Sequence, residues 1–380
     1  MRPFHTGAAA LLTAIALAAP SAGQNRGAQD ARWPATGLAA GLEAFAQQMA
    51  RQRQSAESAA RQRLSAERAR AQAEARRLAQ QREFANWPEV NETLSRTLRL
   101  GRNGTFDLQT AAGDVVITGG RGDDVRIRAT KRVRHRVPTQ ARAALRDIEI
   151  DIAERGGNVE LRTEQPRRRM LWTAVDYVVS VPSGANVIVG TGSGNVRVAN
   201  LAGELRANAA DGNITASAVR RVRHLSTMRG NVDVSNAEAD ELSTNTLQGD
   251  VILRNLKARA LDLNTVTGDV RLVDVQMNRA RLETTDGDIE YAGPLARSGR
   301  YVFLTHSGNI RVNPLGNAGF DLEAHSFTGD IRTDYALKLI DRFATRARRA
   351  AERTLRGTFG DAAAVLTARS FSGDIQIVRK

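Results

Sequence analysis

No cysteine occurs among the 380 residues. This excludes disulfides, thiolate metal sites, a cysteine nucleophile and an anchor acylated on cysteine. Aromatic side chains make up only 4% of the chain, so a core has to be built from Val, Leu, Ile, Ala and Thr. Lysine is almost missing, with Lys131, Lys257, Lys338 and Lys380 the whole supply, so the net charge of +14 is arginine charge. Scattered arginines follow from arginine-rich codon usage; clustered ones point to an anionic partner such as a membrane surface, a glycolipid or nucleic acid. Long apolar runs are also lacking. The longest, from Ala8 to Ala19, is too short to span a bilayer. With Arg2 before it and "PSAGQ" after it, the run reads as a secretory signal over residues 1–23, cut between about Ser21 and Gln24.

Texture then divides the chain. Residues 24–36 read as a linker. Residues 37–86 are rich in Ala, Arg, Gln and Glu, with no Gly or Pro from Leu42 to Glu83; these are strong helix formers. Leu64, Ala71 and Leu78 fall at heptad spacing, while Glu67 and Glu74 occupy the partner sites that a stable coiled coil keeps apolar. The segment reads as a mostly solvated helical stalk, roughly 70 Å long if continuous, capable of weak self-association.

From Thr97 the period becomes two, the mark of strands. "LRDIEIDIAERGGNVELRTEQ" reads as a hairpin turning at Gly156-Gly157-Asn158, and "GGRGDD" at Gly119–Asp124 as a hairpin loop. A repeat follows. Gly-Asn or Gly-Asp recurs at near-even intervals at Gly194, Gly212, Gly230, Gly249, Gly268, Gly287, Gly308 and Gly329, with a last copy at Gly373 and an early one at Gly113. Val196, Ile214, Val232, Val251, Val270, Ile289, Ile310 and Ile331 follow these pairs. A period of about 19 residues is the signature of a β-solenoid, whose coils share a core that none can bury alone. The domain spans 97–380, with regular coils over 187–335 and a last coil over 361–380. The glycines mark corners where φ is positive, and the Asn or Asp beside each is expected to bond its own turn.

Between these coils, residues 336–356 carry Leu337, Ile340, Ala347, Ala351 and Leu355 on one helical face and Arg342, Arg346, Arg349 and Arg353 on another. The expectation is an inserted amphipathic helix that packs on the side of the solenoid or covers the open end of the stack. Its arginines are the candidate contacts for an anionic membrane surface or glycolipid.

The strand phrase "DYVVSVPSGANVIVGTGSGNVRV", the serial "SGNI" and "TGDV" units and the terminal "SFSGDIQIVRK" together resemble a bacterial family of β-strand-repeat domains of unknown function that carries an adhesin label. The resemblance covers about Leu98 to Lys380. It implies an exported, envelope-associated β-solenoid and brings no catalytic residues.

The residues supply no catalytic constellation of their own. Asp114, Asp250, Asp269, Asp288, Asp330 and Asp374 share the corner position with Asn195, Asn213, Asn231 and Asn309. A carboxylate doing acid–base work does not interchange with an amide. His306 and His325, 19 residues apart, are expected to stack in adjacent coils, but make two ligands where zinc needs three or four. "GTGSGN" at Gly190–Asn195 leads into a strand, so it lacks the helix N-terminus of a phosphate loop. The basic clusters Lys131–Arg136 and Arg167–Arg169 have few aromatics beside them in sequence, and no nucleic-acid partner is expected. No cofactor or metal is called for. The sequence reads as a mainly β, non-enzymatic, exported scaffold or adhesin-like surface, periplasmic or on the cell surface, with an envelope protein, an anionic membrane or a glycolipid as partner. The alternatives are a periplasmic signalling accessory that docks a partner through the stalk and, last, a polysaccharide-acting enzyme.

Overall fold

A computed structural model describes Ser65, Gln72, Ala75 and residues 87–166, 171–339 and 353–379. Apart from the first three residues, each of them helical, the stalk lies outside the described residues. So do the signal and linker segments.

The described chain is mainly β. Its strands are β1 (Glu89–Arg99), β2 (Thr105–Thr110), β3 (Val115–Gly120), β4 (Asp124–Arg134), β5 (Glu149–Arg155), β6 (Asn158–Glu164), β7 (Trp172–Pro182), β8 (Asn186–Ser193), β9 (Val196–Asp211), β10 (Ile214–Arg229) and β11 (Val232–Gln248). They continue as β12 (Val251–Thr267), β13 (Val270–Asp286), β14 (Ile289–Pro294), β15 (Arg300–Ser307), β16 (Ile310–Leu315), β17 (Phe320–Ser326), β18 (Ile331–Thr333), β19 (Lys338–Leu339), β20 (Arg353–Phe359), β21 (Ala364–Ser372) and β22 (Ile375–Ile377). One helix, α1 (Pro138–Arg146), starts on a proline and lays Ala141, Ala144 and Leu145 into the core.

From β9 to β13 each long strand pairs in parallel with the next, one coil on. The register sets Ile214 against Val232, Val232 against Val251 and Val251 against Val270. Identical positions therefore stack into columns. Val115, Val196, Ile214, Val232, Val251, Val270, Ile289, Ile310 and Ile375 are each at most 1% exposed. Burying such a side chain contributes about 1.5–3 kcal/mol, and the column is continuous only because the coils stack. In β15 Phe303 takes the core position beside Leu282, and Leu304 is half-buried on the outer face.

Most of the corner glycines are required twice. At Gly194, Gly212, Gly230, Gly249, Gly268, Gly287, Gly308 and Gly373 φ lies between +142° and +156°. A Cβ there would also fall 2.0–2.1 Å from the carbonyl oxygen of the corner glycine in the coil before. Gly329 lacks the positive φ but has the same close approach, to Gly373 O at 2.0 Å.

That last contact shows that spatial order departs from chain order. β21 pairs in parallel with β15 on one side and β17 on the other, and β22 lies between β16 and β18. The last coil of the chain thus sits inside the stack, not at its end. At the other end β2 lies between β6 and β8, and β3 between β7 and β9, so the first coil is interleaved too. Antiparallel strands close both ends: β4 on β7 and β1 on β4 at one, β20 on β17 and β19 on β20 at the other.

Two local expectations change and a third holds. A helix over 336–356 is contradicted at both described ends, which are the strands β19 and β20. The open edge of β17 needs backbone partners, and a strand supplies them where a helix does not. "GGRGDD" is no hairpin loop, because β7 lies between β3 and β4 and pairs with both. The hairpin at Gly156-Gly157 holds, with Arg155 opposite Asn158 and φ of +57° and +80° at the two glycines.

Candidate functional site

The corner Asn and Asp side chains bond to the neighbouring coil, not to their own turn. Asp114 Oδ1 accepts from the Asn195 N–H at 2.8 Å, Asn195 Oδ1 from Asn213, Asn213 Oδ1 from Asn231 and Asn231 Oδ1 from Asp250. The ladder continues through Asp269, Asp288, Asn309, Asp374 and Asp330, with distances of 2.7–2.9 Å. Asp176 begins it by accepting from the Asp114 N–H at 3.0 Å. Each side chain supplies one oxygen to the next coil, and an amide or a carboxylate does this equally well. The Asp–Asn interchange read from the sequence has this cause, and the ladder follows the interleaved order, running Asn309, Asp374, Asp330. A second corner, absent from the sequence reading, sits at Asn200, Ala218, Asn236, Asn255 and Asp274, all with φ between +50° and +59°. Asn and Asp tolerate that left-handed region better than other residues with a Cβ.

Behind the glycine corner lies a hydroxyl column. Thr227 donates to Gly212 O at 3.0 Å, Thr305 to Gly287 O at 3.1 Å, Ser370 to Gly308 O at 3.0 Å and Ser326 to Gly373 O at 2.9 Å. At these four coils the corner carbonyl is thus taken up by structural bonding.

What remains for recognition is the two long outer faces. On the face formed by the strand segments that precede the corner glycines, the register builds three columns. The first holds Arg206, His224, Ser243, Asp262 and Arg281; the second holds Asn208, Ser226, Asn245, Asn264 and Glu283. His224 is held below its ordinary pKa by burial and by the charge of Arg206. The third column is apolar and exposed. Met228 is 57% exposed, Leu247 46%, Val266 44% and Phe371 47%. In spatial order it runs Met228, Leu247, Val266, Thr285, His306, Phe371, Phe327. The three rings lie in parallel, His306 on Phe371 at 4.8 Å and 6°, Phe371 on Phe327 at 4.8 Å and 7°. His306 and His325 therefore do not sit in adjacent coils, since the coil of Phe371 intervenes. A signal for this stripe exists in the sequence. The second residue before the corner glycine points outward, yet in six of the seven coils from Gly230 on it is Met, Leu, Val, His or Phe, with Thr285 the exception.

The other face is formed by the segments that follow the corner glycines, extended by β7, β4 and β1. Here the basic cluster Lys131–Arg136 finds the aromatics that sequence neighbours do not provide. Arg132 and Arg134 lie over the Trp172 ring at 5.2 and 4.6 Å, and Arg136 over Trp87 at 5.3 Å. Arg132 is paired with Asp176 at 2.6 Å, Arg134 with Glu89 at 2.6 Å, and Lys131 donates to Ile148 O at 2.8 Å. These groups fasten the end sheet. Arg167–Arg169 lie outside the described residues, as do Arg342, Arg346 and Arg349. Arg353 lies on β20 and is paired with Asp330, so the four arginines do not form one described helical face. Among the described residues no group of three or more His, Asp or Glu could hold a metal ion.

Residues 104–378 match the model of the Toastrack DUF4097 family, and the chain belongs to that family. No curated protein matches it. Solved structures similar to it include a protein from Parabacteroides distasonis whose name proposes lipid binding (9% identity, 75% of this chain and 97% of that one, TM-score 0.41). Others are a Clostridium sporogenes protein whose name proposes cell adhesion (10%, 77% and 100%, TM-score 0.20) and a Bacteroides fragilis protein whose name proposes an adhesin (12%, 76% and 97%, TM-score 0.34).

Proposed function

We propose that this member of the Toastrack DUF4097 family is an exported, non-catalytic β-solenoid that acts as a scaffold or adhesin-like surface at the cell envelope. The observation that carries the reading is the exposed column Met228, Leu247, Val266, Thr285, His306, Phe371, Phe327. Large apolar side chains scattered singly on a surface need no explanation, but a contiguous row marks an interaction site. The row is supported from beneath by a parallel stack, so it offers an extended partner a side chain at every step of about 4.8 Å. Export rests on the secretory signal read over residues 1–23; no helix among the described residues is long and apolar enough to cross a membrane. The non-catalytic part of the reading draws on the corner carboxylates, which are engaged as backbone acceptors throughout the ladder.

The test replaces Met228, Leu247, Val266 and Phe371 with Ser together. All four are exposed, so melting should change little. Binding of the purified protein to isolated cell envelopes should fall sharply. Undiminished binding, with the fold intact, would remove the row as the working surface. A C-terminal tag digested by protease in intact cells places the stack outside the outer membrane; digestion only after permeabilisation places it in the periplasm.

A further inference from the structure

Ion pairing on the face that follows the corner glycines is partial, and several of its unpaired arginines are gathered in one place. Arg132 is paired with Asp176, Arg134 with Glu89, Arg254 with Asp233, Arg271 with Glu290 and Arg332 with Asp330. Arg126, Arg128, Arg197 and Arg311 are exposed on the same face, and among the described residues they have no carboxylate within ion-pair distance. Asp124, at the start of β4, pairs with none of them. Three of the four arginines belong to one patch. Along the register, Arg128 lies beside Val178, Val178 beside Val116 and Val116 beside Arg197. In the parallel row, Arg126 lies beside Ser180, Ser180 beside Thr118 and Thr118 beside Ala199. Two rows thus run along the stack axis, one with cations at both ends and one lined by hydroxyls. Thr97 extends the hydroxyl row beyond Arg126.

We propose that Arg126, Arg128 and Arg197, with Ser180, Thr118 and Val178 between them, bind an acidic polysaccharide laid along the stack. This deepens the scaffold reading and rests on it. The chemistry selects the class. Guanidinium forks match carboxylates in a bidentate way, the serine and threonine hydroxyls both donate and accept as sugar hydroxyls do, and Val178, 54% exposed, offers a small apolar patch to a sugar ring. The rows repeat at about 4.8 Å, close to one sugar unit of an extended chain. A bilayer surface fits less well, because interfacial binding uses Trp, Phe or Leu and the patch presents only Val178. Nucleic acid fits less well too, because the patch presents no aromatic face to stack a base.

The experiment measures binding of polygalacturonate, with dextran as the neutral control. One variant carries Arg126→Glu, Arg128→Glu and Arg197→Glu; a second carries Arg279→Glu, Arg300→Glu and Arg311→Glu, an equal change of net charge elsewhere. Unaltered protein should bind polygalacturonate and not dextran, more weakly as salt rises. Three exposed charge contacts at their ordinary worth predict that the first variant binds about tenfold more weakly, while the second stays near the unaltered protein. Equal losses in both variants, absence of polygalacturonate binding, equal binding of dextran, or a preference for phosphatidylglycerol vesicles would each overturn the proposal. Where the first variant melts early, Arg→Gln at the same three positions replaces it. Envelope attachment retained by a variant that has lost polygalacturonate binding supports the site and leaves the scaffold reading standing; attachment lost only on removing the apolar row tests that reading separately.

Discussion

Gly268→Ala is the most direct perturbation of the stack. Two costs combine at this corner. The φ of +145° lies in a region that a residue with a Cβ occupies at a cost of about 1–3 kcal/mol. The new Cβ also meets Gly249 O at 2.1 Å, Gly249 C at 2.6 Å and Asp250 N at 3.2 Å. These are backbone atoms held in the ladder, so relief requires the two coils to part by more than an ångström. Overpacking of this kind costs about 1–3 kcal/mol or more, and the sum is roughly 4 kcal/mol. At about 2–4 °C per kcal/mol for a chain of this size, Tm should fall by about 10 °C. Gly316→Ala isolates the first cost, since Gly316 has φ +93° and nothing within 4 Å of its Cβ position. Arg271→Val in the same coil loses only the exposed pair with Glu290, worth about 0–1 kcal/mol. Thermal melting ranks the three, and hydrogen exchange shows whether loosening is confined to the coils that flank Gly268, as expected where each repeat contacts only its neighbours. Equal Tm values for Gly268→Ala and Gly316→Ala would refute the close-approach argument.

Ala218→Asn should stabilise, because φ at this position is +52° in a column whose other members are Asn200, Asn236, Asn255 and Asp274; a gain of up to about 1 kcal/mol is expected, and an unchanged or lower Tm would count against the second corner. The pKa of His224 is depressed from 6.5 by burial and by Arg206, so the unfolded chain takes up a proton in a range where the folded chain does not. Its contribution is complete above the ordinary histidine pKa and declines as pH falls through the folded value; His224→Gln should flatten that part of the stability–pH profile, and an unchanged profile would dismiss it. Ending the chain after Phe359 removes β21 and β22 from inside the stack, so β17 and β20 should lose exchange protection with them. Persisting protection over Phe320–Ser326 would show that β17 can close directly onto β15.

The repeat was legible because stacking demands it at every coil. A corner glycine, a following Val or Ile and an Asn or Asp acceptor are each required by contact with the neighbouring coil, so they recur at a fixed period. The second corner was harder to read: Asn200, Asn236, Asn255 and Asp274 recur at the same interval with Ala218 among them, but no glycine marks the position. The apolar row Met228–Phe327 was missed for a different reason. Alternation assigns those residues to the solvent side, where side-chain identity is unconstrained by packing, and only their spatial succession makes them a surface. The pairing of Arg132 and Arg134 with Trp172 joins positions far apart in sequence across the β4–β7 ladder. No local pattern announces such a contact. Residues 340–352 lie outside the described residues, but the strands on either side show how an apolar stripe at helical spacing can mislead. Leu355 packs on the core from β20, and Leu337 does so just ahead of β19, with no helix at either position.

Interleaving at both ends has one physical consequence that chain order alone does not suggest. A stack built in strict succession can fray coil by coil from either terminus, since the outermost coil has a neighbour on one side only. Here the last coil is held between β15 and β17 and the first between β6 and β8, so neither terminal coil is outermost. The coils that are outermost, those of β7 and β17, are each covered by an antiparallel strand. To fray, an end must release its covering strand and then a coil whose two connections lead to different layers. Loop closure makes that interleaved pairing slower to form, but once formed it ties distant segments into one cooperative edge. The long faces between these edges then keep a fixed backbone spacing from end to end, whatever side chains each coil places on them.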